Sequence, residues 1–126
     1  MKKIKILLVD DIFLNRILLQ EIITEIGLFA VEAKNGKEAI EILQKEKDID
    51  LVLMDIEMPV MNGFETTRYI RQKFSAPQNS IPVVAITAHD PNSFMEEFNN
   101  IGFNQLISKP YTIDKISLMI KTIFGD

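Results

Sequence analysis

The amino-acid sequence predicts an α/β fold in which five parallel strands form one doubly wound sheet covered by helices on both faces. Three observations point there. Short apolar runs alternate with longer amphipathic segments five times along the 126 residues. Runs such as Leu51-Val52-Leu53-Met54 and Val83-Val84-Ala85-Ile86 are apolar at consecutive positions, which suits strands buried on both faces rather than one. Helix caps and glycine stops fall between the runs. Alternation of this kind implies parallel strands joined by right-handed crossovers.

The first strand is Ile4 to Val9, ending at Asp10-Asp11. Phe13 to Ile26 turns helical: at about 100° per residue Leu19, Ile22, Ile23 and Ile26 gather into one stripe, and Gly27 supplies the stop. Leu14, Ile17 and Leu18 fall off that stripe. They leave the first turns with more apolar surface than a sheet can cover, a candidate docking face beside the aspartate pair. Phe29 to Ala33 is a short second strand. Asn35 then caps a helix, with Glu38 placed to reach back as in a capping box, and the helix turns Ala39, Ile40 and Leu43 inward.

Lys45-Glu46-Lys47-Asp48 reads as a solvated charge cluster. The third strand, starting at Leu51, ends in Asp55, and Asn62 with Glu65 repeats the cap to open a helix running through Lys73. Ser75 to Ser80 has loop composition. Pro82 to Ile86 is the fourth strand, with its proline at the start where a missing N–H is tolerated, and it leads into Thr87-Ala88-His89. Asp90-Pro91 opens a further helix that Gly102 closes. Phe103 to Ile107 is the fifth strand, followed by Ser108-Lys109-Pro110. Thr112 caps a last helix carrying Ile113, Ile116, Ile120 and Ile123.

The length fits one domain, residues 1–126, with a single continuous core. With 47% hydrophobic and 25% charged residues, the composition is that of a folded globular chain rather than a disordered one. The net charge of −4, with no lysine- or arginine-rich run, argues against direct nucleic-acid binding. There is no cysteine, so neither disulfides nor thiolate metal ligands are available, which suits a reducing cytoplasm. The basic start is like that of a signal peptide, but Asp10-Asp11 cut its apolar run short. No segment approaches the ~18 apolar residues of a membrane span, and a soluble, cytoplasmic protein is expected.

Polar residues stand at the C-terminal ends of four strands: Asp10 and Asp11, Asp55, Thr87 and Lys109. In open α/β sheets that edge is where ligands bind, and in the doubly wound order 2-1-3-4-5 the first and third strands are neighbours at the switch point. Three carboxylates then share one cleft. Two of them about 4 Å apart repel by about 4 kcal/mol at an effective dielectric of about 20, so the group demands a proton or a cation. Its ligands are all oxygens, which suits Mg²⁺. A Thr87 hydroxyl and a Lys109 point charge fit the far side of a phosphate. The cleft looks built for phosphoryl transfer onto one of its own carboxylates.

Leu7-Leu8-Val9-Asp10-Asp11, Leu53-Met54-Asp55-Ile56-Glu57-Met58-Pro59-Val60-Met61-Asn62-Gly63, Ile86-Thr87-Ala88 and Ser108-Lys109-Pro110 resemble a response-regulator receiver domain over nearly the whole chain. The resemblance implies the flavodoxin-like (βα)5 fold and supports the strand order. It makes Asp55 the acceptor of a phosphoryl group from a histidine kinase or histidine phosphotransfer protein. Asp11 and Asp55 would bind Mg²⁺ directly, Asp10 through water, with the Glu57 backbone carbonyl completing the protein ligands. Lys109 would pair with the new phosphate, Thr87 would hydrogen-bond it, and the Ala88 N–H would assist. A cis bond between Lys109 and Pro110 is also implied. Such a domain catalyses only its own phosphorylation and dephosphorylation and is not a kinase. A monomer is expected, with phosphorylation-dependent dimerisation open.

The chain departs from the family pattern at Leu106, where an aromatic residue commonly switches inward after Thr87 moves; Leu106 is expected simply to pack while the loop movement remains. His89 lacks a second nitrogen or thiolate partner for a metal and is placed at the cleft rim, where with Glu57 it would tune access of water. Asn15-Arg16 and Ile70-Arg71 resemble receivers of hybrid histidine kinases. Three other functions compete for this fold: a phosphate-independent docking module, a metal-dependent phosphatase and a flavin carrier. The retained Asp10, Asp11, Asp55, Thr87 and Lys109 oppose the first. The second would need an aspartate where Glu57 stands, and the third a phosphate-cradling loop where Asp10-Asp11 would repel the ligand.

Overall fold

The computed structural model describes residues 3–88 and 100–125. Its strands are β1 (Lys5–Val9), β2 (Phe29–Ala33), β3 (Leu51–Asp55), β4 (Val83–Thr87) and β5 (Gln105–Ser108). The helices are α1 (Phe13–Ile26), α2 (Gly36–Lys45), α3 (Gly63–Lys73) and α4 (Ile113–Phe124), with a 3-10 turn at Gln78–Ser80. The helix expected to open at Asp90-Pro91, and His89 with it, fall outside the described residues apart from helical Asn100 and Ile101.

All strand pairings are parallel, as the alternation of apolar runs and helices implies, and the order is β2-β1-β3-β4-β5, as the receiver-domain resemblance implies. Side chains alternate across the pleat, so Ile6 and Leu8 of β1 join Leu51 and Leu53 of β3 in a layer with Leu19 and Ile23 of α1 and Ile116 and Ile120 of α4. Leu7, Val9, Val52 and Met54 face the other way, onto Ala39 and Leu43 of α2 and Ile70 of α3. Every residue of β3 and β4 is buried, which is why their sequences are apolar at consecutive positions. Among the described residues no helix is long and apolar enough to cross a membrane.

Local signals set the helix ends. Gly27 adopts φ 95° and returns its N–H to the last turn of α1. Asn62 and Glu65 form a reciprocal capping box, and Thr112 accepts from the Lys115 N–H. Asn35 accepts from the Glu38 N–H at 2.8 Å, but the Glu38 carboxylate reaches the N–H of Lys34, one residue earlier than the box geometry predicts.

Three expectations need correction. Ile113, the first residue of α4, is 42% exposed, and Met119 joins Ile116 and Ile120 on the buried face instead. The fifth strand starts at Gln105 rather than Phe103, because Asn104 already turns its side chain to the N–H of Val83 and Phe103 packs edge-on against Phe64. The charge cluster at Glu46 and Asp48 is not merely solvated, since both carboxylates accept from Lys5 Nζ, at 2.6 and 3.2 Å.

Candidate functional site

The pairing of Val9 with Met54 brings the ends of β1 and β3 side by side, so that Asp10 and Asp55 leave the sheet at one point. Carboxylate oxygens of Asp10, Asp11 and Asp55 all lie within 4.8 Å of one another. Asp10 and Asp55 are buried, at 1% and 2% exposure, and Asp11 is exposed at the rim. Asp10 is held from several sides. Its N–H donates to the Ala33 carbonyl, its Oδ1 accepts from the Ile12 N–H at 2.9 Å, and Tyr111 Oη stands 3.5 Å from its Oδ2.

Asp55 accepts from the Glu57 N–H at 3.2 Å. Burial, helped by the negative charges of Asp10 and Asp11, pushes its carboxyl up to about 7, against the pull of the Lys109 ammonium and the Glu57 N–H. Lys109 is carried to the cleft by β5: its N–H donates to the Thr87 carbonyl at 2.8 Å, and the bond to Pro110 is cis. Thr87, at the end of β4 beside Asp55, is fully buried. The strand ends thus bring together Asp10, Asp11, Asp55 and the charge of Lys109, with Thr87 on the next strand.

The loop from Asp55 to α3 closes tightly. A Cβ on Gly63 would lie 2.5 Å from the Asp55 carbonyl oxygen and 2.8 Å from Ile56 Cα, so only glycine lets α3 start this close to the strand end. Within the same loop Val60 takes φ 71°, a left-handed conformation that is strained for a β-branched residue.

Of the remaining sequence-predicted residues, Glu57 is exposed, with its N–H on Asp55. Ala88 is exposed just beyond β4. Leu106 is half-buried and lines a groove of about 260 Å³ with Lys115, Leu118 and Thr122. Leu14, Ile17 and Leu18 are 72%, 38% and 43% exposed, so no neighbouring loop covers them among the described residues.

Two residues at the site escaped the sequence reading. Tyr111 is buried, and burial with the charges of Asp10 and Asp55 raises its phenol far above the usual range, keeping it a neutral donor beside the carboxylates. Its only signal was an aromatic directly after Lys109-Pro110. Arg16, singled out only for its likeness to hybrid-kinase receivers, is buried with its guanidinium on the Asp10 carbonyl.

Comparison with known proteins bears on the family and the fold. The family description "Response regulator receiver domain" matches residues 6–121. A two-component response regulator of Arabidopsis thaliana is 32% identical over 114 residues, which are 90% of this chain and 79% of that protein. A hybrid signal transduction histidine kinase of Dictyostelium discoideum is 33% identical over 84% of this chain, but the match spans only 6% of that much longer protein. Among solved structures, the receiver domain of a sensor histidine kinase from Pseudomonas aeruginosa, with a magnesium ion coordinated in its active site cleft, superposes with a TM-score of 0.87 at 24% identity. That match covers 99% of this chain and 100% of the other.

Proposed function

The chain belongs to the response regulator receiver domain family, and on that premise we propose that Asp55 accepts a phosphoryl group from a phosphohistidine of a histidine kinase or phosphotransfer protein. The observation that carries this is the convergence of three carboxylates within 4.8 Å at the end of the central strands, with one of them held near neutrality by its surroundings. Such a group is costly to ionise alone and inexpensive to ionise around a cation. Its donors are all hard oxygens, and Mg²⁺ fits them better than a softer metal. Asp11 and Asp55 would hold the ion directly, Asp10 through water, and the Glu57 carbonyl would complete the protein ligands. When bound, Mg²⁺ supplies the charge that offsets the carboxylates and the phosphoryl oxygens.

The chain's own residues do the rest. An Asp55 carboxylate oxygen attacks phosphorus as the N–P bond of the donor breaks, its electron pair passing to the imidazole, which takes a proton. Lys109 neutralises the phosphoryl group on Asp55, while the Thr87 hydroxyl and Ala88 N–H donate to its oxygens. Chemistry of this kind is positioning and charge compensation. Glu57 at the cleft mouth regulates entry of water for hydrolysis, with His89 assigned the same role from sequence alone. Movement of Thr87 and its loop carries the signal onward, while Leu106 packs in its groove without the aromatic switch. Leu14, Ile17 and Leu18 form the partner-docking face. The location is cytoplasmic, and the chain acts as a monomer.

The test is intact-protein mass after incubation with a small acyl phosphate. One added phosphoryl group is expected with Mg²⁺, none with excess chelator, and none for Asp55→Asn. An adduct that survives that substitution, or no adduct in the wild type, overturns the proposal.

A further inference from the structure

Arg16 is a long cationic side chain that is 7% exposed, and the reaction above makes no use of it. A buried guanidinium is retained only where its donors are matched. Here Nη1 donates to the Asp10 carbonyl at 2.8 Å and Nε to Glu32 Oε1 at 2.9 Å, while the Phe13 ring lies 5.6 Å from Cζ. Glu32 is itself fixed: its Oε2 accepts from Gln20 Nε2 at 3.1 Å, and the same amide reaches the Ala30 carbonyl at 2.9 Å. The Asp10 carbonyl is therefore tied through α1 to the edge strand β2.

The Asp10 carbonyl belongs to the planar peptide whose other end is the Asp11 N–H. Holding that carbonyl sets the plane, and the plane sets the direction in which Asp11 leaves the strand. Asp10 is independently pinned through its N–H on Ala33 and its carboxylate on Ile12. Asp11 stands exposed, so the orientation of the joining peptide aims its carboxylate at the other two. The charge of Arg16 is matched by Glu32 2.9 Å away, which leaves it little net field to tune the cluster with and a rigid fork to position it with.

We propose that Arg16 is a positioning residue of the divalent-cation site, locking the Asp10–Asp11 peptide so that the three carboxylates converge. The inference rests on the function proposed above. Outer-shell partners of metal ligands typically contribute about 10–100-fold in affinity, and the same range is expected here.

The experiment is a Mg²⁺ titration of the full chain followed by amide NMR shifts, at a temperature where circular dichroism shows each variant folded. Arg16→Met should raise the Mg²⁺ dissociation constant about 10-fold or more. Arg16→Lys, which can still reach one carbonyl, should fall between it and the wild type. With an acyl phosphate, the Mg²⁺ needed for half-maximal rate should rise more than the maximal rate falls. A melting temperature lowered by Arg16→Met with Mg²⁺ affinity unchanged would make the residue purely structural and overturn the inference, as would equal affinities for Lys and Met variants. If the wild type itself shows neither Mg²⁺ shifts nor an adduct, it is the proposed function that fails; a wild type that shows both beside indifferent Arg16 variants defeats the Arg16 inference alone.

Discussion

At the N-terminal end of the sheet, charges are matched as they arise. Lys5 opens β1 and donates to Glu46 and Asp48. Arg71, at the end of α3, spends its guanidinium on the carbonyls of Asn79, Ile81 and Gly102, at 3.0, 2.8 and 2.8 Å, and on Asn104 Oδ1 at 3.1 Å, stapling α3 to the approaches of β4 and β5. At the C-terminal end, five residues away along β1, carboxylates of one sign are gathered within 4.8 Å, and Arg16 is turned to the Asp10 carbonyl and to Glu32. The comparison teaches where binding energy is held in reserve. One end satisfies its polar groups from within and gains stability, and the other gathers like charges that the proposed cation would satisfy.

The contrast can be broken first at the stable end. Arg71→Ala would strip donors from three carbonyls and should lower unfolding free energy by about 3 kcal/mol in urea denaturation, with Mg²⁺ affinity within about twofold of wild type. A loss of affinity as large as the loss of stability would show that the ends are not separable.

A smaller effect sharpens the other side. The Asp55 carboxyl ionises near 3.8 when unfolded and near 7 when folded, so between those values the folded chain binds more protons than the unfolded one. Stability from this group is fully present below about pH 4 and is lost as pH rises through about 7. Without divalent cation, Asp55→Asn should therefore be more stable than wild type by roughly 1–2 kcal/mol at pH 8, with the advantage gone at pH 4. Mg²⁺ should narrow the gap at pH 8. Thermal denaturation across that range checks the sign.

The smallest effect belongs to Lys5. Its ammonium is raised above the usual range mainly by its bonds to Glu46 and Asp48, yet it sits in high dielectric. Lys5→Met should shift the melting temperature only slightly, and about 0.5 M salt should abolish the difference.

How legible each feature was depended on how local its cause is. The cap at Asn62 is decided by residues three apart and was readable directly. So was the stop at Gly27, because no other residue takes φ 95° without strain. The carboxylates could be placed at strand ends because each follows its own apolar run. The surplus of Leu14 and Leu18 followed from the helical period, but their exposure depends on what the rest of the chain covers.

By itself, the sequence determined the order and type of the described elements and the strand ends that carry Asp10, Asp11, Asp55, Thr87 and Lys109, since periodicity, caps and run boundaries act over a few residues. Only the tertiary structure decided which polar side chains end up matched and which carboxylates are crowded together. Tyr111 meets Asp10 across 101 positions of chain and Arg71 meets Gly102 across 31. Arg16 meets Glu32 across 16. Those encounters exist only once the sheet has closed, because burial is what makes an unmatched charge costly and a matched one worth keeping.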